Sequence, residues 1–135
     1  MRRLQTRPQY QTVLSGAVIA KSPHFALHCR DLFSFEGQAP ESPPVLREPA
    51  IGALLPKRWA KRAVTRNAIK RQIFQVVQEF ENPLAGFAYV VRLRQAFDRT
   101  QFVSASSSAL KDAVRQELLG LFRTASDRLP IPNHG

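Results

Sequence analysis

Of the 135 residues only one, Cys29, is a cysteine. A single thiol closes no internal disulfide and builds no thiolate metal cluster, so disulfide scaffolds, zinc fingers and CxxC redox sites are excluded together, and a reducing compartment is expected. No apolar run approaches the ~20 residues of a membrane span. The basic start Met1-Arg2-Arg3 is followed by largely polar residues where a secretory signal would carry an apolar stretch. The expectation is a cytoplasmic protein with no membrane partner. Also missing are a nucleophile–base pair, paired catalytic carboxylates and a glycine-rich phosphate loop of the GxxxxGK type. His24 and His134 have no partner at metal or catalytic spacing. No catalytic residue and no metal site of the chain's own are therefore expected.

Acidic residues are scarce: 10 Asp+Glu stand against 20 Lys+Arg, a net charge of +10, with a pI near 11.1. That imbalance favours a polyanionic partner. Nucleic acid ranks ahead of an anionic membrane, because no basic helix pairs its charges with a clean, strongly apolar face. Composition does not separate DNA from RNA. With 44% hydrophobic residues the chain can bury one core, and at this length a second is not expected.

Pro8 opens a stretch in which Tyr10, Val13 and Leu14 share a helical face and Gly16 marks its close, so a short helix is predicted over 8–14. In 24–30, Phe25, Leu27 and Cys29 alternate with His24, His28 and Arg30, a half-buried strand, with another possible over 17–20. Cys29 reads as core. Residues 34–49 hold four prolines and three acids and read as an exposed loop. Ile51-Gly52-Ala53-Leu54-Leu55 is a strand that Pro56 ends. Ile69, Ile73, Val76, Val77 and Phe80 predict a helix over 66–80. Phe87 to Arg94 reads as a central strand. A last helix follows a cap among Ser106, Ser107 and Ser108, with Leu110, Val114, Leu118, Leu121 and Phe122 as its apolar stripe. The whole describes a small α+β sandwich, one domain over 1–123 with a flexible tail over 124–135.

Seven cations fall within residues 57–71: Lys57, Arg58, Lys61, Arg62, Arg66, Lys70 and Arg71. No acid occurs between Glu48 and Glu79. These cations lead into the positive end of the 66–80 helix, where stability alone would place Asp or Glu. An external phosphate would complete the arrangement, because amides, dipole and cations would all point toward it. Helical spacing carries Asn67, Phe74 and Arg71 round to the outer face, and residues 57–64 read as an irregular lead-in.

At this segment the sequence resembles a known family. Lys57-Arg58, Lys61-Arg62-Ala63 and Arg66-Asn67-Ala68-Ile69-Lys70-Arg71 look like the RNR segment of the protein subunit of bacterial ribonuclease P. The likeness runs from about residue 3 to 123 through the same order of elements. Two positions depart from it: Ala68 replaces the middle Arg of the RNR triplet, and Phe74 replaces an Arg found one turn beyond the Lys-Arg pair. Phe74 either stacks on RNA or packs under the proline-rich loop, and Arg58, Lys61 and Arg62 offer compensating charge.

The resemblance implies a four-stranded sheet with three helices packed on one face, like a domain of ribosomal protein S5, and a left-handed βαβ crossover. It implies that a catalytic RNA, using its own bound Mg2+, cuts precursor tRNA at the 5′ end of the mature sequence, so the chain is an accessory subunit of an endonuclease. Its partners would be ribonuclease P RNA, met by Lys57, Arg58, Lys61, Arg62, Arg66, Asn67, Lys70 and Arg71, and the 5′ leader of precursor tRNA. The family's leader-facing aromatics fall on Tyr10 and on His28, the latter otherwise a solvated strand residue. Arg92, among small neighbours, either reaches a phosphate or forms an ion pair at the sheet edge. Trp59 either stacks on RNA or anchors the basic lead-in. The alternative function is a structural ribosomal or ribosome-assembly RNA-binding protein. A DNA regulator is not expected, since the 66–80 helix carries cations at one end and apolar residues along most of its length.

Overall fold

The alternating and helical patterns become five strands and three α-helices in the computed structural model, which describes residues 1–31, 49–97 and 108–129. The predicted loop (Pro49 apart), Ser106, Ser107, His134 and residues 130–135 lie outside the described residues. In chain order the elements are β1 (Arg2–Arg3), α1 (Arg7–Leu14), β2 (Ala17–Lys21), β3 (Phe25–Asp31), β4 (Ala50–Leu54), α2 (Ala63–Val77), β5 (Phe87–Leu93) and α3 (Ser108–Arg128). The sheet runs β1-β4-β5-β3-β2. Strand β5 is its centre, parallel to β4 and antiparallel to β3, and six of its seven residues are buried, as a strand covered on both faces requires.

Two expectations about architecture are corrected. Among the described residues the sheet has five strands, because Arg2–Arg3 pairs in parallel with Ala50 and Ile51 of β4; two residues are too few to leave a periodic signal. The helices also do not share one face. Ile51, Phe25, Leu27, Tyr89, Val91 and Leu93 pack with α2 and α3 in the main core. Leu4, Val13, Ala50, Ala88 and Val90 form a second cluster with Tyr10 and Leu14 of α1. The strands are apolar on both sides, so each side recruits a helix.

Local chemistry accounts for the helix ends. Thr6 caps α1 by accepting from the Gln9 amide, while Gln9 Oε1 accepts from the Thr6 amide at 3.1 Å, a reciprocal capping box. Helix α2 starts at Ala63, three residues earlier than the spacing indicated, and passes into a 3₁₀ turn over Gln78–Phe80. Helix α3 reaches Arg128 with Ala125 buried, so residues 124–128 are helix and not tail. Gly86 joins α2 to β5 at φ 93°, a backbone region that glycine enters without a Cβ clash.

The turn between β2 and β3 is clasped by Glu117 of α3. Its carboxylate accepts from the Ser22 hydroxyl and from the His24 amide, the latter at 2.7 Å, and meets His24 Nδ1 at 2.7 Å. The His24 ring stacks on Phe97 with centroids 3.9 Å apart. His24, without a partner in sequence, is thus a structural tie.

Candidate nucleic-acid interface

Two surfaces carry the predicted site residues, and they lie on opposite sides of the sheet. The first begins where Pro56 ends the β4 run and the chain turns, with Trp59 and Ala60 amides donating to the Pro56 carbonyl at 3.0 and 3.2 Å. Ala60 is buried and Trp59 packs, half-buried, against the main core, so Trp59 anchors the lead-in. The Arg58 guanidinium sits 5.2 Å from its ring centroid. Lys57, Arg58, Lys61 and Arg62 remain exposed.

Arg66 holds this turn in place. Its Nη1 donates to the carbonyls of Ala60 and Lys61, both at 2.9 Å. Part of a guanidinium expected to face RNA is therefore spent on backbone acceptors, which fixes the direction in which the neighbouring cations project. Asn67, Lys70 and Arg71 are exposed further along α2. No side chain caps the helix and its first turn contains no acid, so the amide dipoles and the cations stand together with no carboxylate partner among the described residues. Phe74, expected on the outer face, is only 8% exposed; α2 leans its next turn onto the core.

The second surface is the α1 side of the sheet. Register places Ala50, Gly52 and Leu54 of β4, Ala88, Val90 and Arg92 of β5, and Ala26, His28 and Arg30 of β3 in adjacent rows. Helix α1 has eight residues and covers part of this floor. Tyr10 lies across Gly52: a Cβ there would fall 2.6 Å from the Tyr10 ring. Strand β1 stops before Ala53, and the Tyr10 hydroxyl continues the ladder by accepting from the Ala53 amide at 3.3 Å. The lone glycine within a strand pattern was a signal for such a close approach.

His28 differs from its expected half-exposed state. It is 8% exposed, and Arg92 Nε–H donates to its Nε2 at 3.0 Å. Accepting at Nε2 requires a neutral ring with the proton on Nδ1. Burial first and the Arg92 charge second hold the His28 pKa below its usual 6.5, against a smaller raising effect from the Leu14 backbone. Arg92, on the central strand, has no carboxylate partner among the described residues, where its side-chain partner is His28. With Nε held by His28, the planar guanidinium has a set orientation. Tyr10, His28 and Arg92 therefore share one face, but only Tyr10 and Arg92 reach its surface.

Comparisons with known proteins identify the family. The family model for ribonuclease P matches residues 1–120. A ribonuclease P protein component of Ralstonia pickettii is 30% identical over 130 residues, covering 96% of this chain and 83% of that protein. Its counterpart in Xanthomonas oryzae is 31% identical, covering 96% and 74%. Among solved structures, the ribonuclease P protein of Staphylococcus aureus superposes with a TM-score of 0.64 at 15% identity, over 93% of this chain and 95% of that one. That of Thermotoga maritima gives 0.60 at 20% identity, over 91% and 97%. These two show a common fold, and the family match over most of the chain, with relatives at this identity, makes the sequence a member of the ribonuclease P protein family.

Proposed function

We propose that this chain is the RNA-binding protein subunit of ribonuclease P, that its α2 surface grips the ribonuclease P RNA, and that its α1 surface holds the 5′ leader of precursor tRNA. The observation that carries the first part is the clamped turn: Arg66, Trp59 and Ala60 are used inward so that Lys57, Arg58, Lys61 and Arg62 are displayed outward beside an uncapped helix. Such an array suits a folded polyanion whose phosphates must be held in register.

The α1 surface suits a different ligand. Its floor of alanine, glycine and valine is buried beneath α1, and at the margin Tyr10 offers part of its ring and Arg92 offers directed donors. Aromatic contact with unpaired bases tolerates any sequence, and a guanidinium can pair with the phosphate of any nucleotide, which fits a leader that varies between tRNAs. Catalysis belongs to the RNA in this reading, in the cytoplasm, and Mg2+ acts there. Among the described residues no group of three His, Cys, Asp or Glu side chains could hold a metal ion, and the described helices include none long and apolar enough to cross a membrane.

The test is cleavage of a 5′-extended precursor tRNA by the cognate ribonuclease P RNA at low magnesium, with and without this protein, and by the protein alone. Cleavage only in the full mixture is expected. Absence of any effect from the protein would remove the subunit role and favour a structural ribosomal-type RNA binder.

A further inference from the structure

Strand β1 lies at the sheet edge, outside both surfaces, yet its pairing places a cation beside one of them. Arg3 lies opposite Ile51, whose side chain is in the core beneath α2 and α3. Side chains alternate along a strand, so Arg3 points to the α2 side of the sheet edge and Arg2 to the other. The Arg3 guanidinium carbon lies 4.1 Å from the centroid of the Phe74 ring. Phe74 is 8% exposed whereas Arg3 is exposed, so the ring is a floor and the guanidinium its cover. Lys70 and Arg71, both exposed, precede Phe74 by four and three residues on α2 and stand on the same side of the helix. No acidic side chain among the described residues pairs with Arg3.

We infer that Arg3 is a phosphate-binding residue of the α2 surface, delivered from β1 and held there by the Phe74 ring. The inference rests on the proposed RNA-gripping role of α2 and adds to it a cation from the far end of the sequence. The stacked geometry suits phosphate binding, because a guanidinium lying on an aromatic face keeps its in-plane N–H donors free at the edge, where a phosphate oxygen pair can accept two of them. Position 74 carries no charge of its own, and the stacked Arg3 supplies one at that point of the surface. A lysine there would hold charge without the planar fork.

The experiment is binding of the full chain to its cognate ribonuclease P RNA across a salt series. Arg3→Ala is expected to lower the slope of log affinity against log salt by about one, the signature of one lost phosphate contact, with thermal unfolding unchanged enough to show a folded protein. Phe74→Leu keeps an apolar side chain in the core but removes the aromatic face, so Arg3→Ala should cost less affinity in that background than in the native one. Full additivity of the two changes would overturn the holding role of Phe74. An unchanged slope in Arg3→Ala, alongside a flattened slope in Lys70→Ala/Arg71→Ala, would reduce Arg3 to a cover for the ring and overturn the inference alone. If neither variant moves the slope, the RNA-gripping role of α2 falls and the inference with it.

Discussion

The same three strands, β3, β4 and β5, build two unlike faces. Toward α2 and α3 they present Phe25, Leu27, Ile51, Tyr89, Val91 and Leu93, every one of them at most 1% exposed. Toward α1 they present Ala26, Gly52, Ala88 and Val90 with His28 and Arg92 between them. Large side chains on the first face remove much apolar area from water, at roughly 25 cal/mol per Å². The small ones on the second are buried as well, beneath the eight-residue helix α1, so that face is open only at the margin of the helix, where Tyr10 and Arg92 are half-buried. The first face therefore supplies most of the buried apolar area, while the second, the one we propose for recognition, carries the polar pair Arg92–His28, where a hydrogen bond and partial access to water offset its burial.

The largest expected effect breaks the stable face. Phe25→Ala removes a fully buried ring of β3 and should destabilise the fold by about 3–5 kcal/mol, read as a lower urea midpoint. The fraction that stays folded should still discriminate leader-bearing precursor from mature tRNA. Loss of that discrimination in the folded fraction would mean that the two faces do not divide stability from recognition.

A smaller effect on stability, with a larger one on recognition, is expected from Gly52→Ala. The added Cβ would meet the Tyr10 ring at 2.6 Å, which costs about 1–3 kcal/mol of overpacking and pushes the ring off Ala53. Affinity for precursor tRNA should drop while affinity for mature tRNA is kept. Equal loss for both would take Tyr10 out of the leader surface.

The smallest effect is a pH dependence that belongs to the α1 face. Because the folded state holds the His28 pKa below 6.5, the unfolded chain binds more protons between the folded pKa and 6.5, and stability there rises with pH. The contribution of neutral His28 is complete above that window and is lost as pH falls from about 6.5 through the folded value. Protonated Nε2 also cannot accept from Arg92. Unfolding free energies at pH about 7.5 and about 5.5 should therefore diverge more for the native chain than for His28→Gln, which can accept a hydrogen bond and does not titrate. Identical pH profiles would place His28 outside the linkage.

Much of the architecture was legible because it rests on local patterns. The alternation of Phe25, Leu27 and Cys29, the stripes of α2 and α3, and the Pro8 and Gly16 that bracket α1 each specify an element over a few neighbouring residues, and the boundaries agree to within a few positions. The start of α2 was misplaced because Ala63, Val64 and Thr65 carry neither cap nor periodic signal. The end of α3 was misplaced because only the packing of Ala125 distinguishes a last helical turn from a tail.

By itself the sequence determined the longer elements, most of the core residues on them, and a stretch of cations without acids between Glu48 and Glu79, since periodicity, turn chemistry and net charge act along the chain. The tertiary structure alone decided what each polar side chain does. It turned Arg66 back onto the carbonyls of its own lead-in, sank His28 under Arg92, set α1 across the sheet from α2, and brought Arg3 onto Phe74. Strand order and face are set by pairings between distant residues, and a cation or an imidazole takes its role from the partner those pairings bring within reach.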